Sequence, residues 1–348
     1  MLDFTITPNI SIRNAMKELN NTGQKCLVII NDENKLYGTL SDGDIRKAIL
    51  KGRGFEDQIK FICQKNPAVL IQNEYSLSQA KTLFIDSKFD LIPVVDSENK
   101  LVDILFLDSV LSGKELLINK MNLPVVIMAG GKGKRLEPFT SILPKPLVPV
   151  HEKPIIEHII DYFIKFGCND FFLTINYKGR ILKAYFEESS PSYNVKFISE
   201  QKPLGTAGSL KLLKNNLNGP FFVTNCDIII KADYNAFYSF HIKGGYDLSL
   251  VASEKEYIIP YGTCEINEDG NLSRINEKPK YDFLINTGLY ILNSDILNYI
   301  PDDTFFHITD LINALKRDNK KIGVFPILED NWLDIGQWNE YKRTVDKL

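Results

Sequence analysis

The chain has 348 residues, enough for about two domains of ordinary size. Hydrophobic residues make up 44% and charged residues 24%, as is usual for a folded globular protein. The net charge of −3 gives no electrostatic attraction to nucleic acid or to an anionic membrane surface, so we expect neither as a partner.

The cysteines and histidines argue against a disulfide framework and a zinc site. The five cysteines are scattered without a C-x-x-C pair, and the four histidines lack H-E-x-x-H spacing. The first residues do not resemble a secretory signal, and no apolar run approaches the roughly 18 residues that span a bilayer. Together these features predict a protein of the reducing cytoplasm.

The first third of the chain contains an internal repeat. The segment 28–36 (VIINDENKL) returns 65 positions later as 93–101 (PVVDSENKL), and each copy reads as a strand, a polar turn and the start of a second strand. A helical pattern precedes both copies, and Ser76 with Gln79 predicts a capping box for the second helix. Two short α-β-β-α units, each too small for its own core, are therefore expected to pack as a pair over residues 1–118.

From Pro124 the pattern changes to strands alternating with helices. The predicted strands are 125–129, 171–176, 221–225, 248–252 and 289–292, and an amphipathic helix follows Pro154. Continuous apolar strands separated by helices predict a largely parallel sheet covered on both faces. Ligands of such sheets bind beyond the carboxyl ends of the strands, which is where the polar motifs of this region lie.

The first of these strands runs into a glycine-rich turn with the sequence Gly130-Gly131-Lys132-Gly133-Lys134-Arg135-Leu136. Its glycines allow close approach to a phosphate, yet it fits neither the Walker A motif nor the dinucleotide fingerprint. Prolines on both sides of Lys145 restrict the backbone that aims its ammonium group. A bare strand-to-helix turn followed by a surface lysine remains the alternative for these two segments.

The glycine-rich turn and the proline-flanked Lys145, together with later motifs, resemble the sugar-phosphate nucleotidyltransferase family over about residues 123–348. The later motifs follow in the family's order: Leu204–Gly208 (LGTAG), Asn225–Asp227 (NCD), Tyr261-Gly262, Glu277–Pro279 (EKP), Asn286–Gly288 (NTG) and Trp332–Gly336 (WLDIG). The resemblance implies a Rossmann-like α/β domain of the GT-A type, with a mixed, mostly parallel sheet, over 124–348. Residues 119–123 would form a linker.

The resemblance also implies the site. Asp227 and Asp334 would bind a catalytic Mg²⁺, an ion that prefers one or two carboxylates together with substrate phosphates. Taken singly, each aspartate could instead be a turn or capping residue. The remaining roles fall to three groups: Arg135, Lys145 and the glycines Gly130, Gly131 and Gly133 for the triphosphate; Gly205 and Thr206 for the base; Gly262, Glu277, Lys278 and Asn286 for the sugar phosphate.

The implied reaction joins a nucleoside triphosphate to a sugar 1-phosphate and releases pyrophosphate. The LGTAG loop resembles that of several guanylyltransferases, which favours GTP, although related loops serve uridine, adenine and cytidine enzymes. The chain lacks the hexapeptide repeats of the bifunctional N-acetylglucosamine uridylyltransferases.

The front third resembles a pair of CBS motifs, with copies at about 1–64 and 65–118. This resemblance implies an adenine nucleotide as ligand, with Ser41 and Asp44 at its ribose and phosphate. The same serine and aspartate also form a capping-box pattern, and Asp103 replaces the expected glycine in the second copy. A structural or dimerising role for this pair therefore stays open, as does the oligomeric state.

The combination of both modules is similar to the glucosamine-1-phosphate guanylyltransferases of legionaminic acid synthesis. That similarity implies glucosamine 1-phosphate as substrate, with mannose 1-phosphate and heptose 1-phosphate as competing sugars. A non-catalytic sensor built on the same fold is the alternative from another class. Such a relic would be expected to have lost a loop glycine, Lys145 or an acidic residue, and all are present.

Overall fold

The computed structural model describes residues 4–87, 89–107, 110 and 121–345, and its two compact units are Met1–Leu117 and Ile118–Leu348. The predicted final helix of the second repeat and part of the predicted linker lie outside the described residues.

The first unit contains two small sheets with the same strand arrangement. Its elements are, in chain order, β1 (Thr5–Ile6), α1 (Ile12–Thr22), β2 (Cys26–Ile30), β3 (Leu36–Ser41), α2 (Asp42–Leu50), β4 (Leu70–Ile71), α3 (Leu77–Ser87), β5 (Leu91–Val95) and β6 (Leu101–Phe106). In each sheet a two-residue strand lies parallel to the central strand, which pairs antiparallel with the third strand. The register also repeats, because Cys26 faces Ser41 and Leu91 faces Phe106.

The predicted repeat is confirmed by this strand pairing, whereas β1 and β4 were not predicted. Each has only two residues, too few to show an alternating pattern. The predicted capping boxes are present at both helix starts. The Gln79 amide donates to Ser76 Oγ at 3.2 Å, and the Asp44 amide donates to Ser41 Oγ at 3.1 Å.

The polar turns of the two repeats bind each other through a pair of asparagines. The side-chain amide of Asn34 donates to Leu101 O at 3.1 Å, and that of Asn99 donates to Leu36 O at 3.2 Å. Both asparagines have a positive φ, of 59° and 64°. We call this reciprocal pair the asparagine clasp; it gives each copy of the repeat a hydrogen bond to the other.

The second unit is built on a seven-stranded sheet with the order β11-β10-β7-β12-β17-β14-β18. Its strands are β7 (Val125–Met128), β8 (Pro149–Val150), β9 (Lys153–Pro154), β10 (Asp170–Ile175), β11 (Asn194–Ser199), β12 (Pro220–Asn225), β13 (Ile228–Ile230), β14 (Leu248–Ile258), β15 (Thr263–Ile266), β16 (Leu272–Asn276), β17 (Lys280–Asn293), β18 (Ile322–Ile327) and β19 (Trp332–Asp334). Its helices are α4 (Phe139–Ile142), α5 (Ile155–Lys165), α6 (Gly179–Ser189), α7 (Tyr234–Gly244), α8 (Ile308–Arg317) and α9 (Trp338–Val345).

The sheet is mixed and mostly parallel, as predicted, because β17 alone among its seven strands runs antiparallel to its neighbours. Apolar side chains cover both faces. Phe222 belongs to one buried cluster, and its strand neighbours Phe221 and Val223 belong to the other. The five predicted strands are present, but β14 and β17 extend well beyond the predicted bounds. Their extensions carry polar and charged residues, and the outer ends, 257–258 and 280–284, are exposed, so they lack the continuous apolar run on which the prediction relied.

No helix within the described residues combines the length and the apolar character needed to cross a bilayer.

Candidate active site

Two acidic residues far apart in the sequence meet beyond the carboxyl end of β12. Asp227 lies two positions after the last residue of this strand, and β13 then pairs antiparallel with β19, so that Ile228 faces Asp334. The Ile335 amide donates to the carbonyl of Asp227 at 2.8 Å and fixes this short ladder next to the acids. The predicted pairing of the two aspartates is thus present, although the 107 positions between them gave no direct sign of it.

Gly336 is the residue on which both carboxylates converge. A Cβ atom at this position would overlap Oδ2 of Asp227 and would lie 3.0 Å from Oδ1 of Asp334. Its amide donates to Asp334 Oδ1 at 2.8 Å. Burial raises the pKa of Asp334, and the nearby negative charge of Asp227 adds to this effect against the opposing hydrogen bond from Gly336. The sequence motif contained Gly336, but nothing in its pattern indicated this role.

Lys145 connects the acidic pair to the glycine-rich turn. Its ammonium group donates to Oδ2 of Asp227, and both side chains are only 12% exposed. Burial opposes the charge of this lysine, but the Asp227 carboxylate outweighs burial, so the pKa of Lys145 is raised. A Cβ on Gly133 would lie 2.9 Å from Thr140 Cγ2 and 3.1 Å from the lysine's Cβ, so any other residue here would have to displace these side chains.

The glycine-rich turn leaves β7 toward this site. Gly133 has a φ of +67°, a conformation that glycine adopts without strain, and Thr140 Oγ1 donates to its carbonyl at 3.0 Å. Gly131 is exposed with open space around it. Arg135 is also exposed, and its positive charge lowers the pKa of both Lys145 and Asp334, so it lies near the acidic pair.

Glu200 links the glycine-rich turn to the LGTAG loop, a role that the sequence did not suggest. A Cβ on Gly130 would lie 2.8 Å from Glu200 Oε1, and the Leu204 amide donates to Glu200 Oε2 at 3.2 Å. Burial raises the pKa of this carboxyl group against the hydrogen bonds that it accepts. A glutamate directly after a strand carries no distinctive spacing, so only the structure reveals this contact.

The LGTAG loop packs against residues 304–308. The amides of Ala207 and Gly208 both donate to the Phe306 carbonyl, at 2.9 and 3.0 Å. Gly205, at φ +79°, approaches the same carbonyl so closely that a Cβ would lie 2.6 Å from it. With the Leu204 amide on Glu200, three of the five amides of this loop are already bonded within the protein.

The predicted sugar-binding residues fall into two places. Gly262 and Glu277 lie together, since a Cβ on the glycine would be 2.9 Å from Glu277 Oε2, and Lys278 follows at a φ of +46°. Asn286 lies farther along the chain in β17. Its side-chain amide donates to the Tyr290 hydroxyl at 2.9 Å, and its side-chain oxygen accepts from the amide of Gly288, which packs on Asn225. Within the described part of the chain, no hydrogen bond or ion pair joins Lys278 to the aspartates.

In the first unit, Ser41 and Asp44 line a cavity of about 510 Å³. Asp44 Oδ2 accepts from the serine hydroxyl at 2.6 Å and from the serine amide at 3.0 Å, so both residues already cap α2. Burial raises the pKa of Cys26, at the same cavity, to about 12, with Asp90 and Asp44 adding to the shift. No lysine or arginine stands among the described residues that line it.

The acidic pair suits a hard divalent cation. Within the described residues no group of three or more acidic, histidine or cysteine side chains is arranged to hold a metal. Two converging carboxylates are, however, the protein share of a typical magnesium site, in which substrate phosphates and water supply the other ligands. The space left by the missing Cβ of Gly336 lies at this point of convergence.

Comparison with known proteins identifies the family. The Nucleotidyl transferase family profile matches residues 124–348, which is most of the chain. The chain belongs to this family. The CBS domain profile matches residues 3–51 in the front unit. The predicted transferase family, the predicted fold class and a CBS domain at the N-terminus are confirmed by these matches, whereas the second CBS copy stays a prediction.

Curated relatives include mannose-1-phosphate guanyltransferases from Hypocrea jecorina and Saccharomyces cerevisiae, each 34% identical over 226 residues and matching 62% of this chain. The chain spans about three fifths of the length of these relatives, 61% and 62%. Among solved structures, HddC from Yersinia pseudotuberculosis covers 65% of this chain at 28% identity, with 99% of HddC matched and a TM-score of 0.52. The same protein complexed with GMP-PN matches at 27% identity over 65% of this chain and 99% of its own, with a TM-score of 0.51.

Proposed function

We propose that this nucleotidyl transferase is a sugar-1-phosphate guanylyltransferase, which forms a GDP-sugar and pyrophosphate from GTP and a sugar 1-phosphate. The observation that carries the proposal is the convergence of Asp227 and Asp334 at Gly336, with Lys145 between them and the glycine-rich turn. The guanyltransferase names of the relatives and the GMP-PN complex of HddC support guanine as the base.

In this reaction an oxygen of the sugar 1-phosphate attacks the α-phosphorus of GTP, and the bond to the pyrophosphate oxygen breaks. Two anions must meet, so placement and charge neutralisation account for most of the rate increase. Arg135 and Lys145 supply positive charge at the triphosphate, and the glycine-rich turn allows its close approach. Lys278 binds the sugar phosphate, and Gly262, Glu277 and Asn286 surround the sugar. No nucleophilic side chain is needed.

Asp227 and Asp334 would hold the divalent cation, for which we propose Mg²⁺. When bound, such an ion neutralises charge on the phosphate oxygens and orients them for in-line displacement. Gly205 and Thr206, whose amides donate to no described residue, are the proposed contacts to guanine, and Glu200 keeps their loop next to the glycine-rich turn.

The decisive experiment measures pyrophosphate release over a grid of four nucleoside triphosphates and the 1-phosphates of glucosamine, mannose and a heptose. We expect GTP to be the fastest nucleotide. The module combination favours glucosamine 1-phosphate, and the names of the relatives favour mannose 1-phosphate. Asp227→Asn is the control, with turnover abolished and the fold retained. Near-normal turnover in that variant would remove the metal assignment, and a preference for another nucleotide would remove the guanylyl assignment.

For the front unit we propose an adenine nucleotide as ligand of the cavity lined by Ser41 and Asp44. The CBS match supports this assignment. Because a carboxylate accepts hydrogen bonds and repels phosphate, we expect Asp44 to meet the ribose hydroxyls, with Oδ1 as the acceptor that Ser41 does not use. Calorimetric titration of AMP into the full chain and into Asp44→Ala tests this. Heat that is equal in both proteins would place the ligand elsewhere, and no heat in either would leave the unit a structural role.

A further inference from the structure

The ammonium group of Lys145 occupies the side of Asp227 that faces the proposed cation position. It binds Oδ2, the same oxygen that a Cβ on Gly336 would overlap and that lies toward Asp334. The pair is largely shielded from water, since both side chains are 12% exposed. A divalent cation and this lysine would therefore compete for one carboxylate oxygen.

We propose that Lys145 blocks the cation site of the free protein and that a triphosphate opens the site by drawing the lysine to itself. This inference rests on the proposed function in so far as the anion is a nucleoside triphosphate. It assigns to Lys145 a positioning role that precedes its role at the phosphate. The cation then enters with the nucleotide or after it.

The charges around the acidic pair favour this order of binding. In the free protein Lys145 and Arg135 both place positive charge beside the two aspartates, as the effect of each on the pKa of Asp334 shows. A divalent cation entering this region meets repulsion in a partly dehydrated environment, where charges interact more strongly than in water. A triphosphate in the glycine-rich turn adds several negative charges and reverses the sign of the local field.

The packing of Lys145 makes the exchange possible. A Cβ placed on Gly133 would lie 3.1 Å from Cβ and 3.3 Å from Cγ of Lys145. The base of the lysine side chain therefore packs against the glycine-rich turn. Its ammonium group reaches from there to Asp227, and the phosphates would lie in the turn itself. A change of side-chain rotamer, with no movement of the backbone, is enough to transfer the ammonium from the carboxylate to a phosphate.

If the two ligands are coupled in this way, their affinities must change reciprocally. The triphosphate raises the affinity for the cation by the same factor by which the cation raises the affinity for the triphosphate. The free protein should bind the cation weakly although both carboxylates are in place. Removal of the lysine should uncouple the two events.

The experiment measures Mn²⁺ binding to the full-length protein by electron paramagnetic resonance, without turnover and without a sugar. Lys145→Met is compared with the wild type and with Lys153→Met. Lys153 is a matched control, because its ammonium also binds an aspartate, Asp161, at 2.8 Å, yet both side chains there are about half exposed. Circular dichroism establishes that each variant is folded.

We expect the dissociation constant for Mn²⁺ to fall at least about tenfold in Lys145→Met and to stay unchanged in Lys153→Met, since only the first substitution removes a shielded charge from the site. A non-hydrolysable GTP analogue should strengthen Mn²⁺ binding to the wild type beyond the chelation that the analogue alone shows. Adding Asp227→Asn to Lys145→Met should cancel the gain. Equal affinity in Lys145→Met and the wild type would overturn the proposal.

These results separate the block from the proposed reaction. If Lys145→Met binds Mn²⁺ more tightly but the wild type transfers no guanylyl group, the proposed block is supported and the proposed function fails. If the wild type catalyses the reaction and Lys145→Met shows no gain, the function stands and the block fails. Lys145→Gln serves as a second variant should the methionine protein not fold.

Discussion

Replacing Gly336 by alanine tests the geometry of the acidic pair with a single methyl group. The added Cβ would overlap Asp227 Oδ2 and crowd Asp334 Oδ1 at 3.0 Å, so at least one carboxylate must move. The backbone of Gly336 lies outside the left-handed region, so alanine fits its conformation without strain. Any loss of function would therefore come from the displaced carboxylates and not from the backbone.

The expected size of the effect follows from the displacement. A shift on the order of 1 Å in groups that position reacting atoms costs about a hundredfold in rate, so we expect kcat/KM to fall by about that factor. Stability should change little, because a compatible glycine-to-alanine substitution contributes about 0.4–1 kcal/mol through the unfolded chain, which offsets part of the steric cost. We expect a melting temperature within about 3 °C of the wild type.

The assay compares pyrophosphate release and thermal unfolding for Gly336→Ala and for Gly54→Ala. Gly54 is the matched control, because a Cβ there meets nothing within 4 Å and its φ is also outside the left-handed region. Activity of Gly336→Ala within a factor of about three of the wild type would refute the convergence of the two acids as the basis of the site. A large loss of activity in Gly54→Ala would show that a glycine-to-alanine change is harmful even without a steric overlap.

Burial lowers the pKa of His241, which lies between Ser249 and Asn293. The unfolded chain therefore takes up a proton on this histidine first, and the free energy of unfolding of the wild type falls as the pH drops below 6.5. His241→Gln lacks this proton uptake, so its free energy of unfolding should fall less between pH 7.5 and 5.5. Unfolding is followed by tryptophan fluorescence. An equal loss would contradict this. Asn34→Gly removes one hydrogen bond of the asparagine clasp, and Asn34→Ala removes the same bond and adds the strain of a positive φ. In urea unfolding, the free energy of unfolding should fall by about 1 kcal/mol from the wild type to Asn34→Gly and by about 1 kcal/mol more to Asn34→Ala.

The sequence predicted the parts of the fold that depend on local patterns. The central strands carry continuous apolar runs, and the capping boxes depend on residues three positions apart, so both were visible in the chain. The ends of β14 and β17 were missed because their pairing, not their composition, makes them strands. Short strands such as β1 depend in the same way on a partner distant in sequence.

The candidate site likewise contains residues that sequence motifs identify and residues that only the structure identifies. Motif resemblance named Asp227, Asp334 and Lys145, and the structure brings these three together. Their roles remain predictions until the experiments above are done. Glu200 and Gly336 were not given roles, because what they do depends on contacts between distant segments rather than on spacing. The bonded state of the LGTAG amides also could not be read from small residues alone.

The asparagine clasp limits how the front unit can be shortened or exchanged between proteins. Each repeat completes a turn of its twin, through Asn34 to Leu101 and through Asn99 to Leu36. A chain trimmed to a single repeat would lose these two bonds, the two backbone bonds between the same turns and the apolar cluster that the two sheets share. The two halves should therefore be transplanted together, and a hybrid that lacks one of the two asparagines should lose about 1 kcal/mol of stability.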